Sequence, residues 1–299
     1  MMWAVLAFMS AALLGCYDFF KKVSLKDNSV LAVLFLNTLF SALIFMPFIL
    51  LSHTGVISHG ALYVPSVGWG VHLLLMLKAV IVLSSWLCGY IGLKHLPITI
   101  VSPIQSTRPV LVLLGALLLF GESLNGFQWT GVIIAMVSVF LLGRSSKREG
   151  IDFVSNRWVA FVALAALFGA VSALYDKYLM RSMEPILVQS WFNLYQCVLM
   201  GGIVLLMNVF SGRQRERKFQ WRWAILMISL FLAMADFCYF SALSQDGALI
   251  AVVSMIRRGS VVVSFLFGAL LLREKNLKSK AFDILLILIG LLFLYLGSK

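Results

Sequence analysis

The sequence predicts an all-α integral membrane protein with ten transmembrane helices, arranged as two inverted five-helix repeats. Three observations support this fold class: an apolar composition, ten apolar runs of membrane-spanning length, and motifs shared between the two halves. Of the 299 residues, 62% are hydrophobic and 12% are charged, which lies outside the range of soluble globular domains. The net charge of +12 comes mainly from short gaps between apolar runs, so it indicates membrane topology and not a nucleic-acid-binding face.

The apolar runs follow one another along the whole chain, separated by short segments rich in helix-breaking residues. They cover residues 2–20, 30–51, 70–92, 97–120, 127–143, 158–180, 186–210, 221–244, 248–272 and 281–297. The first run has no basic segment before it and is followed by Lys21 and Lys22. We therefore interpret it as a membrane helix and not as a cleaved signal peptide.

Basic residues in the gaps predict the orientation of the chain. Seventeen of the 24 Lys and Arg residues lie in gaps after odd-numbered runs, whereas only Lys177, Arg181 and Lys299 lie on the opposite side. Because cytoplasmic loops carry an excess of Lys and Arg, the larger set is predicted to be cytoplasmic and both termini to be outside. Short loops, with no glycosylation sequon and no retrieval tail, favour a bacterial cytoplasmic (inner) membrane.

Short motifs recur between the two halves. Tyr17-Asp18, near the end of helix 1, matches Tyr175-Asp176 near the end of helix 6, and the pentapeptide GALLL occurs in both helix 4 and helix 9. Since five is an odd number, the second copy must enter the membrane upside down relative to the first. The predicted organisation is a first repeat over 1–143, a cytoplasmic linker over 144–157 and a second repeat over 158–299.

Ten helices in a five-plus-five repeat, with helix 4 ending in LLLFGE and helix 9 in ALLLRE, resemble the EamA-type branch of the drug/metabolite transporter (DMT) superfamily. The resemblance covers the whole chain and includes Pro109 and the helix-end residues Glu122 and Glu274. It implies a central cavity lined by helices 1 to 4 and 6 to 9, and alternating access by rocking of helix bundles. Family members carry amino acids, choline, sugars, nucleotide sugars or phosphorylated sugars, so the substrate remains open.

The most unusual run is helix 9, which spans 248–272 and carries Arg257 and Arg258 near its middle. A central Arg costs about 2.5 to 3.5 kcal/mol, so the pair is expected to face a water-filled cavity, a counter-ion or an anionic ligand. Ser254 shares a helix face with both arginines. Because guanidinium groups bind carboxylate and phosphate oxygens through paired hydrogen bonds, we predict that Arg257 or Arg258 clamps an anionic group.

Further polar residues are predicted to line the same cavity. Those expected to contact substrate are Arg108 and Gln105 on helix 4, Lys78 on helix 3, Asn193 on helix 7 and Tyr239 on helix 8. Gln189 and Gln196 lie on the same helical stripe as Asn193, and helix 2 contributes Asn37 and Ser41.

Each of three acidic residues has two possible roles. Asp236, mid-way along helix 8, is predicted either to pair with one of the arginines or to couple transport to a proton. Asp18 and Asp176 lie near helix ends and are candidate gate residues. In the second reading they pair with basic neighbours, namely Lys21, Lys22, Lys177 or Arg181.

No catalytic or cofactor-binding motif occurs in the sequence, so we expect neither an enzyme nor a cofactor. The four cysteines and four histidines show no metal-ligand spacing, and no metal is expected. The predicted function is secondary active transport of a small anionic metabolite, bearing a carboxylate or phosphate, by alternating access. The partners expected are a small-molecule substrate and the lipid bilayer, with no nucleic acid and the oligomeric state left open.

Two alternatives remain at this stage. One is a proton-coupled exporter of amino acids, drugs or other zwitterionic or cationic compounds that uses Asp236, with the arginines paired structurally. The other is a non-transporting membrane scaffold or a lipid flippase subunit. Import or export, the coupling ion or exchange partner, and the identity of the substrate are not predicted.

Overall fold

The computed structural model describes residues 2–25, 28–95, 104, 108–121, 123–144, 157–210, 219–260 and 262–263, with short pieces at 285–286, 289–290, 292–293 and 296–297. All regular structure within these ranges is helical, and nine helices have defined bounds. They are α1 (Met2–Leu25), α2 (Val30–His53), α3 (Trp69–His95), α4 (Arg108–Phe120), α5 (Gly126–Arg144), α6 (Arg157–Met180), α7 (Pro185–Phe210), α8 (Trp223–Leu243) and α9 (Ile250–Arg258).

Within the described ranges, six helices are long and apolar enough to cross a membrane, namely α1 to α3 and α6 to α8. Each overlaps the apolar run that predicted it, so the expectation of an all-helical membrane protein is confirmed. The shorter apolar helix α4 has 13 residues, and most of the predicted run before it lies outside the described residues. The run 281–297 also lies largely outside them, so the count of ten helices stays a prediction.

A continuous helix was expected over 248–272, of which residues 261 and 264–272 lie outside the described residues. In the described part, α9 begins at Ile250 and ends at Arg258, Gly259 forms a turn, and Ser260 is helical again. The Gly259 N–H donates to the carbonyl of Ile256 at 2.9 Å, a tighter bond than the α-helical i to i−4 pattern. The arginine pair therefore occupies the last turn of α9, where the partial negative charge of the helix end favours cations.

Helices from different halves of the chain pack against each other. The most extensive contact joins α1 to α8, and the next joins α3 to α6. α2 packs on both α7 and α8, and α7 also packs on α3. α9 contacts α1 and α4. The helices that surround the interior of the bundle are therefore drawn from both halves.

Small side chains allow these helices to approach closely. On α1, Ala4, Ala7 and Ala11 recur at helical spacing and are at most 5% exposed. On α6, Ala166 and Ala170 are at most 2% exposed. Apolar helices in a bilayer associate mainly through close packing, which small residues permit, so these faces are suited to the inter-half contacts.

We expect Gly15→Ala to lower the thermal unfolding midpoint of the purified protein. A Cβ at Gly15 of α1 would lie 2.4 Å from the Val263 Cβ and 2.8 Å from the backbone oxygen of Ser260. Overpacking of this kind costs about 1 to 3 kcal/mol. Gly202→Ala on α7 is the matched control, since a Cβ there meets nothing within 4 Å. Equal midpoints for the two variants, measured in detergent, would contradict the close approach of α1 to Ser260 and Val263.

Candidate functional site

A buried ion pair joins Lys78 of α3 to Asp176 of α6. The ammonium group donates a hydrogen bond to Asp176 Oδ1, and the two residues are 3% and 6% exposed. The Lys78 Nζ also lies 4.4 Å from the ring centroid of Phe192 and 4.9 Å from that of Phe240. Such aromatic faces attract a cation. Lys78 is therefore held by one carboxylate and two rings, from three helices besides its own.

Asp176 thus pairs across the bundle and not with its basic neighbours in sequence. Lys177 instead donates to the backbone oxygens of Leu243 and Ala248, at 3.3 Å and 2.5 Å. Arg181 lies over the ring of Phe120, with 4.5 Å from its Cζ to the ring centroid. The sequence analysis placed Asp176 near a helix end and missed its contact with Lys78, which depends on the packing of α6 against α3.

A second ion pair joins Arg257 of α9 to Asp236 of α8. The Arg257 Nη2 donates to Asp236 Oδ1 at 2.6 Å, and the guanidinium carbon lies 4.0 Å from the ring centroid of Tyr239. Asp236 and Tyr239 stand one turn apart on α8 and so present one face to the arginine. The buried Arg257 Nε has no hydrogen-bond partner in the part of the chain that the structure describes. Arg257 is therefore neutralised but keeps an unused donor.

Arg108, the first residue of α4, lies against the backbone of α6. Its Nη2 donates to the carbonyl oxygen of Gly169 at 2.7 Å. A Cβ on Gly169 would lie 2.5 Å from the Arg108 Cζ and 2.6 Å from its Nε. Only glycine therefore leaves room for the guanidinium group at this position. No carboxylate in the described ranges forms an ion pair with Arg108.

Arg258 and Asp18 complete the charged cluster. Arg258 lies within electrostatic range of Asp18, Arg108 and Arg257, and both Arg258 and Asp18 are partly buried. Neither forms an ion pair with any residue that the structure describes. Asp18 is also influenced by Lys21, which follows it by about one helical turn on α1. Arg258 therefore has a like-charged neighbour on α4, Arg108, and it forms no ion pair with the Asp18 carboxylate.

The charged cluster, defined here as Lys78, Arg108, Arg257, Arg258, Asp18, Asp176 and Asp236, holds four cations and three carboxylates. Two carboxylates are used in the pairs with Lys78 and Arg257. Arg108 and Arg258 remain without an ion-pair partner among the described residues. The cluster therefore carries one net positive charge and can accept one negative charge from outside the protein.

The other residues predicted from sequence have different surroundings. Asn193 of α7 is 8% exposed, and its side-chain amide donates to the backbone oxygen of Gln189 at 2.8 Å. Gln105 lies outside the described residues, as do Glu122 and Glu274. Sequence reasoning did not identify Gly169 or the two rings around Lys78. The signal for those rings was weak, since Phe is common throughout the chain, with 23 occurrences.

No group of three or more His, Cys, Asp and Glu side chains that could hold a metal ion occurs in the described ranges. The four cysteines, Cys16, Cys88, Cys197 and Cys238, are free thiols.

Comparison with known proteins identifies the family. The model of the EamA-like transporter family matches the chain twice, over residues 1–144 and 156–296. A protein from Archaeoglobus fulgidus, named "Uncharacterized transporter", is 24% identical over 282 residues, which cover 91% of this chain and 90% of that protein. One crystal structure superposes with a TM-score of 0.71 at 15% identity, covering 98% of this chain and 96% of that one. At that identity the likeness shows the fold alone.

The two family matches together cover nearly all of the chain, and they confirm the resemblance drawn from its repeated helix ends. Membership explains the apolar helices as spans of a multi-pass membrane transporter, with the bilayer around it and a small molecule as its substrate. The chain therefore belongs to the EamA-like transporter family, within the drug/metabolite transporter superfamily.

Proposed function

We propose that this protein is a secondary carrier that moves a small anionic metabolite, bearing a carboxylate or a phosphate, across the membrane by alternating access. The observation that carries the proposal is the pair of arginines, Arg108 and Arg258, that have no carboxylate partner among the described residues. A cation kept away from water and unpaired is costly, by several kcal/mol in the low-dielectric interior. A bound anion removes that cost.

The cationic residues have distinct roles in this proposal. Arg108 and Arg258 contact the anionic group of the substrate, because guanidinium donors match its oxygens in pairs. Arg257 is oriented by Asp236 and supplies its unused Nε donor. Lys78 is neutralised by Asp176, so it attracts the anion only when that ion pair opens. Tyr239, Gln105 and Asn193 remain predicted substrate contacts from sequence.

The proposed architecture is ten helices in two inverted repeats, over 1–143 and 158–299, joined by a cytoplasmic linker over 144–157. The packing supports it. In two five-helix repeats, α1 corresponds to α6, α2 to α7, α3 to α8 and α4 to α9. Under this correspondence the contact between α1 and α8 is equivalent to the contact between α6 and α3, and the contact between α2 and α8 is equivalent to that between α7 and α3. The α2–α7 and α4–α9 contacts convert into themselves. The two separate matches to one family model support the same division.

Asp18 and Asp176 occupy equivalent positions in the proposed repeats and gate opposite ends of the substrate pathway. Asp176 fastens α6 to α3 through Lys78, whereas Asp18 on α1 has no ion pair with any described residue. An ion pair thus closes the Asp176 end of the proposed pathway, whereas the Asp18 end has no such pair among the described residues. This difference is consistent with a carrier that is open to one side of the membrane only. In this proposal both termini lie on the external side of a bacterial cytoplasmic membrane, as the distribution of basic residues predicts.

The competing hypothesis is a proton-coupled exporter of zwitterionic or cationic compounds. The Arg257–Asp236 ion pair favours it in part, since that hypothesis requires the arginines to be paired within the protein. It does not explain why Arg108 and Arg258 lack such partners in the described part of the chain. Anion transport therefore remains the better supported function.

We expect Arg258→Gln to weaken anion binding by about tenfold to a hundredfold, the loss typical of a hydrogen bond to a charged group. The measurement is binding of a panel of carboxylates and phosphate monoesters to the purified protein, followed by uptake into proteoliposomes. Arg181→Gln is the matched control, because Arg181 is exposed and lies over Phe120, away from the charged cluster. Undiminished anion transport by the Arg258 variant would rule out the proposed site.

We expect Gly169→Ala to raise the KM for the transported anion, because the added methyl group displaces the Arg108 guanidinium. A double-mutant cycle with Arg108→Ala tests the cause. If Gly169 acts through Arg108, adding Gly169→Ala to Arg108→Ala should change KM little. Equal, additive losses in both backgrounds would instead indicate a general packing defect on α6.

Asp236→Asn separates the two candidate functions. In an anion carrier this change releases Arg257 from its carboxylate, so anion binding should be retained or strengthened while thermal stability falls. In a proton-coupled exporter it should abolish transport driven by a pH gradient. Proteoliposomes with and without an imposed pH gradient provide the measurement. Loss of gradient-driven transport of a zwitterionic or cationic compound would favour the exporter.

A further inference from the structure

Unpaired polar atoms are concentrated on α2 and α7. Seven buried side-chain nitrogen or oxygen atoms lack a hydrogen-bond partner in the described part of the chain, and five of them belong to these two helices. They are Asn37 Oδ1, Ser41 Oγ, Gln189 Oε1, Ser190 Oγ and Gln196 Nε2. Each of the five residues is at most 3% exposed. None of these residues belongs to the charged cluster.

Both α2 and α7 form hydrogen bonds with α8, at positions close to each other along that helix. The Ser229 Oγ donates to the backbone oxygen of Asn37 at 3.2 Å, and the Gln189 Nε2 donates to the backbone oxygen of Ala233 at 2.7 Å. Ser229 and Ala233 are one turn apart on α8. Ser41 stands one turn beyond Asn37 on α2. Gln196 lies two turns beyond Gln189 on the same face of α7. We call this region, with Asn37, Ser41, Gln189 and Gln196, the α2–α7–α8 junction.

Packing alone does not account for the junction. Buried polar atoms in folded proteins are nearly always hydrogen-bonded, and apolar side chains would fill the same space at lower cost in free energy. The partner of such atoms is either water or a bound molecule. The junction contains no ionisable residue, so that partner forms neutral hydrogen bonds.

The mixture of atoms favours hydroxyl groups. Asn37 Oδ1 and Gln189 Oε1 accept hydrogen bonds and do not donate them, whereas Gln196 Nε2 donates and does not accept. The Ser41 hydroxyl does both. A hydroxyl group likewise donates and accepts, so neighbouring hydroxyls on one carbon chain can satisfy all three kinds of atom. An alkyl chain without hydroxyls would leave every one of them unpaired.

The junction is close to the charged cluster. Ala233 and Asp236 are separated by about 4.5 Å along α8, and Ser229 and Asp236 by about 10 Å, at the 1.5 Å rise of an α-helix. On α7, Gln189 lies a similar ~4.5 Å from Phe192, whose ring contacts Lys78.

We propose that the α2–α7–α8 junction binds the hydroxyl groups of the transported compound, so that the substrate is a hydroxylated anion. The acidic group lies at Arg108 and Arg258, and the hydroxylated carbon chain extends toward Asn37 and Gln189. The inference rests on the proposed function, because the charged cluster must hold the other end of the molecule. The ligand reaches the junction when α2 and α7 separate during alternating access.

The test compares matched anions that differ only in hydroxyl groups. The probes are glycerate against propanoate, and glycerol 3-phosphate against propyl phosphate, with binding to the full-length protein measured by calorimetry. We expect the hydroxylated member of each pair to bind at least about tenfold tighter, the effect of one net hydrogen bond or more. Ser41→Ala and Gln189→Leu should reduce that ratio at least threefold by weakening only the hydroxylated member.

Ser24→Ala is the matched control. Ser24 also has a buried, unpaired hydroxyl among the described residues, but it lies at the end of α1, so its removal should leave the ratio unchanged. If the wild-type protein binds both members of each pair equally, or the junction variants keep the wild-type ratio, the inference is wrong and the junction holds water alone. If no anion of either pair binds, the proposed function fails and the inference fails with it.

Discussion

The ion pair between Lys78 and Asp176 is the contact on which the interior of this bundle depends. Both charges are buried, so removing either partner would leave an uncompensated charge, at a cost of about 3 to 5 kcal/mol. The pair fastens α3 to α6, which come from different halves of the chain. The rings of Phe192 and Phe240 bring α7 and α8 to the same ammonium group. One neutralised lysine thus fixes the positions of four helices.

In the proposed function, incomplete neutralisation elsewhere in the charged cluster allows the bundle to bind an anion. A fully paired cluster would hold the helices together but would have little affinity for a substrate anion. Here Arg108 is supported by a backbone oxygen of α6, and Arg258 by no described carboxylate. The adjoining α2–α7–α8 junction likewise contains polar atoms without a hydrogen-bond partner among the described residues, but these atoms are uncharged. In both places we propose that the partner of these polar groups is the transported molecule.

Much of the fold could be read from the sequence, because the length and hydropathy of a run are local properties. The apolar runs predicted the positions of α1 to α3 and α6 to α8, and the repeated helix ends indicated the family. The four basic residues inside helices, Lys78, Arg108, Arg257 and Arg258, were also evident, since a charge within an apolar run has few explanations other than function.

The tertiary structure alone decided how those charges are paired. Sequence reasoning placed Asp176 near a helix end beside Lys177, and only the packing of α6 on α3 brings it to Lys78. The role of Gly169 depends on which side chain of another helix lies against it, which no spacing along α6 encodes. The sequence by itself thus determined which residues lie in apolar runs and which of them carry charge. The contacts between distant helices determined which of these charges are paired within the described part of the chain, because a pairing depends on residues far apart in sequence.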